Sequence, residues 1–354
     1  MFNGRDGISL VSRVAATALA AHGLPVNVYS LCHEPFAEVP AGIKLWTAEN
    51  SSFKFVAKLV GGALRDFSPN DHVLAMHVHL AGTALPLVWR GAKLSIFLHG
   101  VEVWKPLRMR ERMALRAASA VLANSDYTVQ RFRETSCDFR DLPIDVCPLG
   151  IAPLDGPVAG PRLKSGRFAL IVGRLVGKTR YKGHDELLEL WPEVLNQFPD
   201  FSLVIAGDGP FRPNLQKKVA ALGVQDAVHF TGLVSDEELQ RLYRDCEFFV
   251  MPSTGEGFGL VYLEAMRARK ACIGAPGAAA SVIEHGRTGI IADPRSRDEL
   301  LGAILGLIGQ PLRTIQMGNA GYERFESNFT ADHFGKTLLS ALQLNHLDGA
   351  KCAE

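Results

Sequence analysis

The sequence predicts an α/β protein built as two doubly wound parallel sheets, the first lacking its opening strand. Three observations predict it. Short apolar runs alternate with helical patterns along the whole chain, as parallel strands and their crossover helices require. A length of 354 residues suits two domains better than one. Between residues 150 and 166, Gly150, Pro153, Gly156, Pro157, Gly160, Pro161 and Gly166 crowd together with few large apolar residues, which is a linker composition. The expected domains are residues 1–160 and 161–330, with a helix over 331–354 packing back towards the first domain.

The elements follow in order. A doubly wound half opens with an apolar strand, a glycine turn and a helix. Here the sequence begins at the turn, Met1-Phe2-Asn3-Gly4-Arg5-Asp6-Gly7-Ile8-Ser9, and a helical pattern (Leu10, Val11, Val14, Ala15, Leu19) starts at once. The strand that should precede Gly4 is absent. Strands are expected over residues 26–31, 72–80, 93–98 and 120–123 of the first half. The second half repeats the alternation, with strands over 168–172, 203–206, 229–231, 248–251, 271–274 and 289–292. Helical patterns at 186–198 and 236–244 lie between them. Two such sheets joined by a linker leave a cleft, and ligands in these folds bind beyond the carboxyl ends of the strands.

Composition removes several classes of function. The net charge of +1 gives no field for nucleic acid. Cys32, Cys137, Cys147, Cys246, Cys272 and Cys352 are scattered without a CxxC or a Cys/His cluster, so no zinc site or disulfide framework is expected. This usage fits a reducing cytosol. Cys147, Cys246 and Cys272 lie in apolar surroundings and read as small core residues. No apolar stretch reaches the 18 or so residues of a membrane span.

The most informative segment is Ser253-Thr254-Gly255-Glu256-Gly257-Phe258-Gly259-Leu260-Val261-Tyr262-Leu263-Glu264. It follows an apolar strand ended by Pro252 and runs into a helix. Gly257 and Gly259 let the backbone approach a ligand. The helix start aims N–H groups and the positive dipole end at whatever sits above it, which suits a phosphate. Glu256 and Glu264 flank that anion site. A carboxylate accepts two hydroxyls well, so one reads as a sugar acceptor and the other as a ribose acceptor. Glutamates at a helix start are also favoured by the dipole alone, so the surrounding residues decide.

Gly173-Arg174-Leu175 closes the first strand of the second half. Lys178, Arg180 and Lys182 follow, then Gly183-His184-Asp185. Arg174 and Lys182 suit a diphosphate, the arginine as a fork and the lysine as a point charge; a solvated basic loop is the plainer alternative. Gly207-Asp208-Gly209-Pro210 is a turn by composition. In the first half, His99-Gly100 ends a strand, which suits a sugar hydroxyl or a structural histidine. His77 and His79 alternate on the expected strand without a third ligand, so no metal site is read there. Asn124-Ser125-Asp126 reads as a helix cap. Residues 104–116 carry Lys105, Arg108, Arg110, Arg112 and Arg116 against one acid, Glu111, with Leu107, Met109, Met113 and Leu115 interleaved. That pattern suits an anionic membrane surface or a plain surface helix.

Taken in order, these residues resemble the retaining glycosyltransferases of family 4, whose architecture is GT-B, with two Rossmann-like domains facing a cleft. The pair Glu256 and Glu264, seven residues between them, carries the resemblance most specifically. Gly173-Arg174, Lys182-Gly183-His184-Asp185, Gly207-Asp208-Gly209-Pro210 and Phe230-Thr231-Gly232 fall in the family's order, as do residues 4–7, His99-Gly100, Ala123-Asn124-Ser125 and Pro148-Leu149-Gly150-Ile151 in the first half.

The resemblance implies roles. Arg174 and Lys182 hold the diphosphate of a nucleotide sugar. Glu256 binds donor-sugar hydroxyls and counts with His99, near that sugar, as catalytic. The backbone of Gly257, Phe258, Gly259 and Leu260 lies near the sugar and phosphates, Glu264 binds the ribose, and the backbone at Val234 meets the base. Gly7 approaches the phosphates or the acceptor. Transfer proceeds with retention and without a metal or other cofactor. The co-substrate is UDP- or GDP-linked, and the departing diphosphate helps deprotonate the acceptor, so no general base is assigned. Positioning and diphosphate stabilisation then carry the chemistry. The implied acceptor is a glycan or a lipid-linked glycan, in polysaccharide or lipopolysaccharide assembly at the inner face of the plasma membrane. The sequence departs from the family in the missing strand, in a longer loop between Arg174 and Lys182, and in Ser281, where the family often has an acid. The missing strand motivates one rival reading, a nucleotide-sugar-binding protein without catalysis.

Overall fold

The computed structural model describes residues 7–31, 39–69, 71–154, 156–162, 166–177 and 182–344. Residues 1–6 of the expected glycine turn, Cys32, Cys352, Lys178, Arg180 and Tyr181 lie outside them. The chain divides into two compact units. One comprises residues 1–152 with 329–354, the other residues 153–328. The Gly- and Pro-rich residues 156–162 belong to the second unit. Arg244 ties them down, donating to Val158 O and Gly160 O at 2.9 Å each.

The first unit runs α1 (Gly7–Ala21), β1 (Val26–Ser30), β2 (Ile43–Thr47), α2 (Ser52–Asp66), β3 (His72–Ala75), α3 (Val78–Ala81), α4 (Leu85–Val88), β4 (Lys93–Leu98), α5 (Met109–Ala117), β5 (Ala120–Ala123), α6 (Asp126–Thr135) and β6 (Asp145–Val146). All strand pairs are parallel, in two sheets ordered β1-β2 and β3-β4-β5-β6. A doubly wound order would set one further strand between β1 and β3, and it is the opening one. Among the described residues none is present, and α1 precedes every strand. Leu94, Ile96 and Leu98 of β4 are fully buried with Val121, Phe132 and Phe139 in the core of the larger sheet.

Two sequence expectations change here. The strand expected over 72–80 stops at Ala75. His77 then acts as the N-cap of α3, its Nδ1 accepting from His79 N at 3.1 Å. A short apolar run is compatible with strand or helix, and a local cap decides it. The strands β2 and β6 were not expected. Ile43-Lys44-Leu45-Trp46-Thr47 carries a readable alternation, whereas two-residue β6 carries no pattern at all.

The second unit runs β7 (Arg167–Val172), α7 (His184–Gln197), β8 (Phe201–Ala206), α8 (Arg212–Ala221), β9 (Val228–Gly232), α9 (Asp236–Asp245), β10 (Phe248–Met251), α10 (Leu260–Arg267), β11 (Ala271–Gly274), α11 (Ala279–Val282), β12 (Gly289–Ile291), α12 (Arg297–Gly309) and α13 (Pro311–Asn328). Its six strands are parallel in the order β12-β11-β10-β7-β8-β9. Near-continuous apolar strands, such as Phe248-Phe249-Val250-Met251, are buried on both faces, as a covered parallel sheet requires. Cys246 and Cys272 are buried here, as Cys147 is in the first unit, and burial pushes all three thiols up.

The chain then returns to the first unit as α14 (Ala331–Ala341). Ile151 N donates to Phe329 O at 3.0 Å and Ala331 N to Ile151 O at 2.9 Å. Gly335 lets α14 lie against α1, since a Cβ there would stand 2.8 Å from that of Ala18.

Candidate active site

Chain order reverses between β7 and β10, the switch point at which open α/β sheets bind ligands. Four connections converge beyond the carboxyl ends there. Backbone bonds stitch three of them together. Gly173 N donates to Ala206 O at 2.9 Å, Gly207 N to Gly232 O at 3.0 Å, and Leu175 N to Asp208 O at 2.9 Å. Gly207 has φ +134°, and a Cβ there would meet Gly173 O at 2.0 Å, so only glycine fits. Arg174 is exposed on the first of these loops, and Val234 is half-buried just beyond β9.

The fourth connection, from β10 to α10, meets the start of α7. Lys182 Nζ lies 2.6 Å from Glu256 Oε1, with the two side chains only 13% and 21% exposed. Residues 74 positions apart thus form a largely shielded ion pair at the switch point. Gly183 permits the approach: its φ is +86°, and a Cβ would collide with Pro252 at 2.5 Å. Gly259, at φ +92°, is the N-cap of α10 and offers no side chain to the first turn. Its helix N-terminus therefore has unsatisfied N–H groups and positive partial charge beside Glu256. Phe258 is buried under the loop, and Tyr262 donates to Met251 O, tying α10 to β10.

His184, the first residue of α7, is buried. Burial, and then the charge of Lys182, push it down to about 4, so it is neutral at pH 7. Glu264 lies farther along α10 and is half-buried. Burial raises its carboxyl, while a hydrogen bond from Tyr243 and the charge of Arg267 oppose the rise. Its Oε2 accepts from the Tyr243 hydroxyl at 2.8 Å.

In the first unit, His99 is buried at the end of β4. Its Nε2 donates to Met76 O at 2.8 Å, which fixes the proton on that nitrogen. Glu102 Oε1 accepts from His99 N at 2.5 Å, and Asn124 Nδ2 donates to His99 O at 2.6 Å. Asn124 therefore braces the histidine, and Ser125 alone caps α6, its Oγ accepting from Thr128 N at 3.1 Å. Gly7 opens α1. His79 Nδ1 lies 2.8 Å from buried Glu111, whose other oxygen accepts from Arg108 N. Among the described residues no set of three or more His, Cys, Asp or Glu side chains could hold a metal ion.

The structure thus joins Lys182 to Glu256 and sets the Gly257 to Leu260 loop between them and Glu264. Arg174 and Val234 lie on neighbouring connections. His99 and Gly7 belong to the other unit. Tyr243, Glu102 and the bracing role of Asn124 were missed, because a helical tyrosine and a loop acid carry no spacing signal until the fold joins them to their partners.

A family model described as "Glycosyl transferases group 1" matches residues 166–310. The chain is 33% identical over 270 residues to the GDP-mannose-dependent alpha-(1-6)-phosphatidylinositol monomannoside mannosyltransferase of Mycolicibacterium smegmatis, covering 68% of this chain and 69% of that protein. It is 35% identical over 145 residues to the alpha-D-kanosaminyltransferase of Streptomyces kanamyceticus, covering 41% and 37%. Among solved structures, sucrose-phosphate synthase from Thermosynechococcus elongatus superposes with a TM-score of 0.75 at 19% identity, covering 96% of this chain and 94% of that one. The Anabaena protein Alr3699/HepE in complex with UDP superposes with a TM-score of 0.73 at 18% identity, covering 96% of each. Matches to named transferases over two thirds of the chain do not favour a binder without catalysis. The chain belongs to the glycosyl transferases group 1, within glycosyltransferase family 4, and is a GT-B glycosyltransferase that uses a nucleotide-sugar donor.

Proposed function

We propose that this protein transfers a hexose from a nucleoside diphosphate sugar to a glycan or lipid-linked acceptor, with retention and without a metal ion or other cofactor. The observation that carries the reading is the Lys182–Glu256 pair beside the α10 N-terminus. A cation, a helix start and a carboxylate at one point match the charges of the ligand. Lys182, Arg174 and the Gly257 to Leu260 backbone hold the diphosphate, which draws Lys182 away from Glu256. Glu256 is thereby freed to accept donor-sugar hydroxyls. Glu264 takes the ribose, the backbone at Val234 the base, and His99 the sugar. Gly7 serves the phosphates or the acceptor. With the diphosphate neutralised by fixed protein charge, leaving-group departure needs no metal.

The mycobacterial relative's name supports GDP-mannose as the first donor to test, with UDP-glucose beside it. Labelled sugar is expected to pass from one of them to a lipid or glycan extract at a rate unchanged by EDTA, giving a product with the donor's anomeric configuration. An inverted product, or activity lost with EDTA and restored by a divalent cation, contradicts this.

We also assign a peripheral seat on anionic membrane to the face carrying α5. Met109 is 68% exposed there, beside the exposed Arg108 and Arg110, whereas Arg112 and Arg116 turn to Asp138. No helix among the described residues is long and apolar enough to cross a membrane. In flotation, vesicles containing phosphatidylglycerol are expected to carry the protein at low salt and release it at high salt. No binding to anionic vesicles removes this assignment. A cytoplasmic position at the inner face of the plasma membrane fits such a seat and a cytosolic nucleotide donor.

A further inference from the structure

Glu264 is oriented from outside its own helix. Tyr243 of α9 is 2% exposed, and its ring packs on Phe249 with centroids 5.7 Å apart. Its hydroxyl is 2.8 Å from Glu264 Oε2 and 3.4 Å from Val261 O. A phenol has one proton, and the shorter contact to a charged acceptor takes it. Among the described residues no second donor bonds this carboxylate. The hydroxyl therefore fixes the rotation of the carboxylate and occupies one lone pair of Oε2. Oε1 accepts no hydrogen bond among the described residues. Burial disfavours the charged form of Glu264, and the Tyr243 bond offsets part of that effect.

We propose that Tyr243 is a positioning residue for nucleoside recognition, holding the Glu264 carboxylate in the orientation that accepts the ribose 2′-hydroxyl and so setting the preference of the donor site for ribonucleotides over 2′-deoxyribonucleotides. This rests on the reading of Glu264 as the ribose acceptor. A ribose hydroxyl bonded to an oriented carboxylate discriminates against a sugar lacking it, because the half-buried acceptor then loses that donor. A carboxylate free to rotate discriminates weakly. Tyr243→Phe keeps the ring and its packing and removes only the donor.

The test is calorimetric titration of GDP, UDP and their 2′-deoxy counterparts into the wild type, Tyr243→Phe and Glu264→Ala, with thermal unfolding as a check on each fold. The wild type is expected to prefer the ribonucleotide by about tenfold, the effect of one hydrogen bond to a charged acceptor. Tyr243→Phe should reduce that preference to about twofold or less and leave affinity for the 2′-deoxy form nearly unchanged. A merely structural role for Tyr243 would weaken both forms together and keep the preference, which overturns the inference. If Glu264→Ala loses the preference while Tyr243→Phe keeps it, the ribose reading stands and the role of Tyr243 falls. If the wild type has no preference, or Glu264→Ala retains it, the ribose reading itself falls, and the inference with it.

Discussion

Glu256→Gln is expected to lower sugar transfer by at least about a hundredfold while leaving the fold and the binding of nucleoside diphosphate intact. The substitution preserves shape and removes one charge. A charged acceptor makes stronger hydrogen bonds to sugar hydroxyls than an amide oxygen does, and the difference grows as positive charge develops on the reacting sugar. The loss should therefore fall mainly on kcat. Binding of GDP or UDP should stay equal or tighten, because in the wild type Lys182 must leave a partner 2.6 Å away before it can hold phosphate, and in the variant that partner is neutral. Parallel measurements of kcat, KM and diphosphate affinity separate the two effects. Full activity in the variant would remove Glu256 from the site.

Gly207→Ala is expected to be the most damaging single methyl in the second unit. At φ +134° an alanine is strained, and its Cβ would lie 2.0 Å from Gly173 O, a backbone atom that cannot swing aside. Either β7 and β8 separate at their carboxyl ends or the peptide between Gly207 and Asp208 flips. Both routes break the bond from Gly173 N to Ala206 O or that from Gly207 N to Gly232 O. A loss of about 2–4 kcal/mol, read as a lower unfolding midpoint, is expected from strain plus overpacking. Donor binding should weaken beyond the stability change, since Arg174 and Val234 ride on the displaced loops. Gly156→Ala, where φ is +131° but nothing lies within 4 Å of the new Cβ, is the control: it should show the strain without the collision. Equal effects at both positions would contradict a collision at Gly207.

The parts of this fold legible in the sequence are those in which burial and period agree. Strands covered on both faces, such as Lys93–Leu98 and Phe248–Met251, are apolar runs of strand length bounded by turn residues. The helix Asp236–Asp245 announces its start through Ser235 and Glu238, which form a reciprocal capping box. Residues 72–80 mislead because Met76-His77-Val78-His79-Leu80 continues the apolar alternation of β3, and only the local bond from His79 N to the His77 ring turns it into a helix. In the site, glycines and charged residues at strand ends stand out, because such positions need special backbone or bind anions. The partnerships do not. Nothing in the spacing of Lys182 and Glu256 says they meet, since their contact follows from β7 and β10 being neighbours across a long crossover, with Ala169 facing Phe248. Tyr243 looks like one more apolar position of an amphipathic helix, and its polar end acquires meaning only where α9 meets α10.

A side-by-side titration of GDP and UDP into the wild type and Glu256→Gln, paired with transfer rates from the matching sugar donors, separates diphosphate binding from sugar transfer. The pairing of Lys182 with Glu256 predicts that one diphosphate binds both proteins, at least as tightly in the variant, while the variant transfers almost nothing. Equal transfer by the two proteins, or loss of diphosphate binding in a folded Glu256→Gln variant, would contradict the division of labour between Lys182 and Glu256.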